Sequence, residues 1–429
     1  MSVLELLASL PALAASLRST QALRHSTALA YFPAIIPYLS TSSPLTGDYN
    51  SLSKVLAIVS LCNCESEETQ TLSHNLGLHE LVPRVIVALI ENPPSKATIS
   101  DNPEVNDIFT KCVKQCFSVL SNMTTQSPHT PSIVSSLLTA TPTLTTLVCE
   151  VQISAFLTET TKRAIMERAV ALLQNSILSH PAVLLQINSD RVLTSSILRL
   201  TLPTSTSGDS EPDSLTNWIR MFLASVVATE GGFVTMWKSV DSKDELVTPE
   251  QIILLHSLYT HTDTAMGGAT SHAFMTPEFL NILTTTFVGL PSYKHAVAPS
   301  LIPLIATVLG IALGATLDDG CHARITKEYP DLLATAVEYL SGDAHSEVKI
   351  SCLRIITNLL HGNAEVREAL PKEYIYAVLS STNAAGLEDV TMREWAVVAI
   401  REITTNSERN RDIIKDLEKQ SEGKLTPVT

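Results

Sequence analysis

The chain lacks the short motifs that anchor most enzyme chemistry. It has no Gly-rich phosphate loop ending in Lys-Ser/Thr, no Gly-x-Ser-x-Gly elbow, no His-Glu-x-x-His pair and no Cys-x-x-Cys pair. The usual footholds for phosphoryl transfer, serine hydrolysis, zinc hydrolysis and dithiol chemistry are therefore missing. Runs of five or more basic residues are also absent. With a net charge of −14 and a pI near 5.3, the chain is short of the Lys and Arg density that sequence-independent nucleic-acid binding requires, and no nucleic-acid ligand is expected. No Lys or Arg precedes the first apolar stretch, where Glu5 is the first charge, so the positive region of a signal peptide is missing. Leu4, Leu7, Leu10 and Leu13 recur there at helical spacing and predict a first helix. Strand-type alternation is nearly absent, and charged residues are only 17% against 45% apolar, enough apolar surface to order the chain.

What is present is repetition. Residues 348–370 (VKISCLRIITNLLHGNAEVREAL) and 392–414 (MREWAVVAIREITTNSERNRDII) align without a gap at an offset of 392 − 348 = 44. Leu353/Val397, Ile356/Ile400, Leu359/Ile403, Arg367/Arg411 and Glu368/Asp412 fall in register. A helical period of about 40–47 residues marks armadillo or HEAT stacking. At 429 residues the chain exceeds the ~250–300 at which a single core stops growing, and an elongated array suits that length. Segments such as 52–62, 109–123, 164–178 and 332–340 place apolar residues at i, i+3, i+4, i+7, and Thr248-Pro249-Glu250 and Thr276-Pro277-Glu278 read as N-cap, Pro at N1 and acid in the first turn. Weaker echoes end in Asn63, Asn122 and Asn175, spaced 122 − 63 = 59 and 175 − 122 = 53. The fold class read from this is all-α, an α-solenoid of armadillo/HEAT-like repeats. Its expected divisions are an N-terminal array over 1–200, a middle segment over 215–292, a C-terminal array over 296–420 and a tail over 421–429, with Pro- and Ser-bearing loops between.

Three groups of residues bear on chemistry or location. Seven cysteines, an odd number without small-domain spacing, predict reduced thiols in a cytoplasmic protein. Cys112 and Cys116 share a helix face but lack partners for a four-ligand zinc site, and Cys62 and Cys64 with His74 and His79 do not match finger or ribbon spacing. Cys321-His322 are neighbours and poorly disposed as nucleophile and base. No cofactor, no metal and no enzymatic activity are expected, with a metal-dependent enzyme around these residues as the lesser alternative. The uncharged stretch 296–317 has the length of a membrane span and a Gly310/Gly314 pair, but Pro299 and Pro303 interrupt it. A buried inner helix is expected, with a membrane anchor as the alternative.

The C-terminal block resembles the ataxin-10 domain. The residues that carry the resemblance are Arg393-Glu394-Trp395-Ala396, Ala399-Ile400-Arg401, Asn406 to Asn410 and Ile413-Ile414, with Leu353 to Leu359 similar to the preceding helix of that family. Glu402 and Arg411 stand where the family has Asn and Gln, which implies a divergent member. The resemblance implies an armadillo-type protein–protein interaction scaffold acting in cytokinesis, cell survival or signalling. Trp395 is read as lying on the apolar face with Val398. Arg393, Glu394, Trp395 and Arg401 are the candidate partner-binding residues. An acidic chain predicts a partner with a basic segment, and self-association stays open.

Overall fold

The computed structural model describes residues 13–18, 20–41, 48–94, 104–139, 144–153, 157–200, 214–265, 276–292, 298–315, 319–382 and 390–422. Among these residues there is no strand, and the protein is all-α. Two compact units divide it, Met1–Val240 and Asp241–Thr429. The segment 215–292, expected as a middle element, is split by this boundary. Residues 383–389, the loop 202–214 up to its last residue, and the tail from 423 lie outside the described residues.

In the first unit the helices are α1 (Gln21–Ser40), α2 (Tyr49–Asn63), α3 (Glu67–Asn75), α4 (Leu78–Glu91), α5 (Glu104–Thr124), α6 (Thr130–Thr139), α7 (Leu144–Ile153), α8 (Glu159–Ser179), α9 (Val183–Ser189), α10 (Arg191–Arg199), α11 (Ser214–Ala228) and α12 (Gly232–Ser239). They stack in rows. The long helices α2, α5, α8 and α11 pack side by side, α6, α9 and α12 form a second row, and α7 lies on α10. In this row α5 is amphipathic, burying Phe109, Cys112, Val113, Cys116, Phe117, Leu120 and Met123, spaced by three and four residues, while α8 between its neighbours buries Ala169 to Gln174 on all sides. Tyr49 of α2 meets Phe109 edge-on at 5.6 Å. Burial of each large apolar side chain is worth about 1.5–3 kcal/mol, which holds the rows together.

Helix starts follow local chemistry. The side chains of Asp48, Thr158 and Asp190 accept from the backbone N–H three residues on, at α2, α8 and α10. Helix ends are served differently. The Gln70 amide, 1% exposed, donates to Asn63 O at 3.2 Å, Asn122 O at 2.7 Å and Thr125 O at 3.0 Å, so one side chain from α3 holds the open C-terminal carbonyls of α2 and α5.

The second unit contains α13 (Pro249–Ala265), α14 (Pro277–Gly289), α15 (Ala298–Ala315), α16 (Asp319–Glu328), α17 (Asp331–Ser341), α18 (Ser346–Leu360), α19 (Ala364–Glu368), α20 (Lys372–Thr382), α21 (Val390–Thr404) and α22 (Glu408–Glu422). Helices α15, α18 and α21 form one row and α14, α17 and α20 another. The N-terminal signals read from sequence hold here. Thr276 Oγ1 accepts from Phe279 N at 3.2 Å, and Thr248 with Gln251 makes a reciprocal capping box at 3.2 and 2.8 Å.

The 44-residue period is structural. α18 and α21 have both ends offset by that amount, 390 − 346 = 44 and 404 − 360 = 44. The turn after each helix carries a left-handed residue at equivalent positions, Gly362 (φ 67°) and Asn406 (φ 55°), the two residue types that tolerate this region best.

The stretch 296–317 becomes α15, and Pro303 lies inside the helix without breaking it. Its Leu301, Ile305, Val308, Leu309, Ala312 and Leu313 are buried, each at most 1% exposed. The Gly310/Gly314 pair seats α18: a Cβ on Gly310 would stand 3.3 Å from Ser351 O, and one on Gly314 would stand 3.1 Å from Asn358 Nδ2. Asn358 Nδ2 donates to Gly310 O at 3.0 Å. Among the described residues no single helix is long and apolar enough to cross a membrane; the bent pair α11–α12, turned by 114°, passes that test only when its two helices are counted together.

Candidate functional site

The candidate residues of the C-terminal block all lie on α21. Its buried positions are Met392, Ala396, Ala399 and Ile403, which face α18 and α20. Arg393, Glu394 and Arg401 are exposed, and Trp395 is half-buried. The face read from sequence as apolar around Trp395 is partly open to solvent, with Val398 41% exposed. Trp395 lies under the guanidinium of Arg354 from α18, with Cζ 5.0 Å from the ring centroid. Arg354 is half-buried, burial pulls its pKa below the ordinary value, and its Nε has no hydrogen-bond partner. The indole face thus receives a partly desolvated cation, where the ring quadrupole acts most strongly.

Sequence reasoning missed the apolar part of this surface. Val390 is 52% and Val397 57% exposed, beside Val398. For Val397 the register partner explains the exposure: Leu353 is fully buried because α18 lies between α15 and α21 in its row. Among the described residues no helix continues that row past α21. At Val397 the last described helix of the row therefore leaves uncovered the position that its predecessor buries, and the 44-residue alignment held that signal.

The two departures from the family pattern are accommodated by neighbours. Glu402 lies 3.4 Å from His361 Nδ1 and 4.0 Å from Arg367 Nη1, so its carboxylate faces an imidazole and a guanidinium of the preceding repeat. Arg411 Nε donates to Ser407 O at 3.2 Å within its own first turn. Sequence register paired Arg411 with Arg367, yet the structural counterpart is Asn410. Arg367 Nη1 donates to Leu360 O at 2.9 Å and Asn410 Nδ2 to Ile403 O at 3.0 Å, each seven residues back onto the end of the preceding helix.

The cysteine and histidine candidates do not gather into one cluster among the described residues. Cys62, Cys112 and Cys116 are buried; burial pushes the Cys62 and Cys112 thiols up to about 12 and Cys116 well above its ordinary value. Protonated thiols of this kind are poor nucleophiles and ligands. Cys112 Sγ donates to Tyr49 O at 3.0 Å. His74 and His79 stack on each other at 4.4 Å, and His129 stacks on His74 at 4.5 Å, a partner that sequence distance concealed. Face-to-face rings do not converge their nitrogens on a common point. His322 is buried with Nε2 2.9 Å from Leu313 O, and the side chain of Cys321 lies outside the described residues. Among the described residues no three His, Cys, Asp or Glu side chains are grouped to hold a metal ion.

No curated protein matches the chain. Residues 348–426 match the family model of the spinocerebellar ataxia type 10 protein domain, a span that runs from α18 through α22. Two consecutive structural repeats, the second of which carries Trp395 and the exposed valines, are what the match covers, and over this span the chain carries an ataxin-10 domain.

Proposed function

We propose that this protein is a non-enzymatic protein–protein interaction scaffold of the ataxin-10 type, working in the cytoplasm, and that its partners serve the roles in cytokinesis, cell survival or signalling that the family resemblance implies. The single observation that supports the scaffold reading is the outer face of α21. There Val390, Val397 and Val398 are exposed beside Arg393, Glu394 and Arg401 at the end of a helical row. An apolar centre flanked by charge on a rigid helix is the composition of a recognition surface, and repeat stacks work by offering such surfaces. The partner chemistry that follows is a helix or extended segment with apolar side chains for the valines and charged groups for the rim.

The test is affinity capture with the intact chain, with a variant carrying Val397→Glu and Val398→Glu, and with a deletion of 330–420. Partners captured by the intact chain and lost from both altered forms support the reading. If every partner survives both changes, α21 is packing alone and the scaffold assignment to this face is wrong.

A further inference from the structure

Among the described residues the acidic chain carries a site of opposite sign. A cavity of about 360 Å³ opens on the surface of α5 and α8, and its charged lining is Lys111, Lys114, Arg168 and Asp107. Thr110, Gln115 and Ser118 complete it. Three cations against one carboxylate leave a local charge of 3 − 1 = +2 on a molecule whose net charge is −14. None of the three cations has an ion-pair or side-chain hydrogen-bond partner among the described residues.

The cluster follows from the way the rows lock together. Asn175 Nδ2 of α8 donates to Ser121 Oγ of α5 at 2.8 Å. Arg168 precedes Asn175 by seven residues and Lys114 precedes Ser121 by seven, so the register that this bond sets brings the two cations side by side two turns away. Lys111 is one turn further along α5. On the other flank Ser53 Oγ of α2 donates to Gln115 Oε1 at 2.9 Å, and Asn122 Nδ2 donates to Ser60 O at 2.8 Å. These bonds fix α5 between its neighbours, so the cations are carried on a preorganised surface. With its Oε1 engaged by Ser53, Gln115 keeps its amide N–H groups as donors.

We propose that this cavity binds an acidic peptide segment of a protein partner, with two or three carboxylates on Lys111, Lys114 and Arg168 and the peptide main chain on the neutral polar side chains beside them. The proposal rests on the scaffold reading. Arg168 supplies a planar fork suited to a carboxylate, and the two lysines supply point charges along the helix. A cavity of this volume is at the lower end of the roughly 300–1,000 Å³ range of ligand sites, enough for a short extended stretch and too small for a folded domain. Nucleic acid fits less well. Its charge continues past any three-cation site, and here it would run over a surface that repels it. A short acidic peptide places its charge only where the cations are.

Fluorescence anisotropy of the full-length protein with a fluorescein-labelled hexaglutamate peptide, at low and at physiological ionic strength, tests this. The expected result is saturable binding that weakens with salt. The triple variant Lys111→Gln, Lys114→Gln and Arg168→Gln should weaken it by about tenfold or more. The double variant Lys111→Gln and Lys114→Gln keeps the packing of the Arg168 stem and should show part of the same loss. A control triple in the second unit, Lys243→Gln, Lys327→Gln and Lys372→Gln, removes the same charge at exposed positions and should leave binding unchanged. Equal loss in both triples, or no binding by the wild-type protein, overturns the proposal. So does tighter binding of a labelled oligouridylate, or displacement of the peptide by equimolar inorganic phosphate. Any of these removes the cavity alone, since partner capture through α21 is read separately.

Discussion

Asn410→Ala should unfasten the last repeat. The Asn410 side chain is fully buried, and its Nδ2 donates to Arg367 O at 2.8 Å and Ile403 O at 3.0 Å while its Oδ1 accepts from Arg409 Nη1 at 3.1 Å. Alanine takes the side-chain donor from Ile403 O, while Arg367 O keeps backbone donors from the turn that follows it, Leu370 N at 3.3 Å among them, so the loss should cost about 1–3 kcal/mol. Because Arg367 belongs to the preceding repeat and Ile403 to α21, the loss falls on the junction between repeats. Terminal repeats can open without the rest of an array. The assay is therefore hydrogen exchange of α21 and α22 amides by mass spectrometry, where the expected cost means exchange faster by about fivefold or more. Asn410→Asp sharpens the test. At neutral pH it turns a donor toward the two carbonyl oxygens into a carboxylate, which should be worse than alanine. Exchange within threefold of wild type for Asn410→Ala, or equal exchange for both variants at neutral pH, would refute the reasoning.

Two adjacent glycines should fail for different reasons. Gly232→Ala places a Cβ 2.3 Å from Val226 O and 2.6 Å from Leu184 Cδ2, and overpacking of this kind should cost about 1–3 kcal/mol in urea unfolding. Gly231→Ala meets nothing within 4 Å but sits at φ +69°, so its cost should be the backbone term alone, about 1 kcal/mol. A double-mutant cycle on Arg354→Ala and Trp395→Ala should give a coupling of about 0.5–2 kcal/mol, and a coupling near zero means the 5.0 Å contact is incidental. For His79, burial first and then neighbouring His74 lower the pKa, Glu80 opposes them, and His129 adds a smaller lowering. A depressed histidine pKa contributes stability that is full above its unfolded value near 6.5 and is lost as pH falls through the lower folded value. Thermal melts should therefore drop on acidification below that range, and His79→Gln should flatten the profile; an unchanged slope removes the stacked imidazoles as its source.

The repeat was legible because it recurs without a gap, and α18 and α21 have the boundaries that the 44-residue offset requires. Caps were legible for the same local reason: Thr-Pro-Glu states the start of a helix within three residues. The side of α21 that meets water was not. Leu353 and Val397 are both apolar and in register, and only the absence of a further described helix beside α21 makes one fully buried and the other 57% exposed. The partner of Trp395 was hidden too, since Arg354 is 41 residues away and packs on it as a cation. The equivalence of Arg367 with Asn410 escaped the alignment because it is offset by one residue from the 44-residue register. What is repeated there is a donor seven residues beyond a helix-terminal carbonyl, and two different side chains serve it.

The same limit applies to charge. Composition supplies a mean field, and from a net charge of −14 the expected partner segment is basic. Recognition, however, is decided over a Debye length of about 8 Å at physiological ionic strength, a distance that reaches a neighbouring helix and little further. Within that distance of Lys114 the relevant neighbours are Lys111 one turn along α5 and Arg168 across on α8, and their proximity is set by an Asn175–Ser121 hydrogen bond that no charge count includes. A 53-residue spacing between Asn122 and Asn175 was readable in the sequence. Subtracting it from Arg168 points to position 115, next to Lys114, so the register that identified the stack also held the position of its basic cavity.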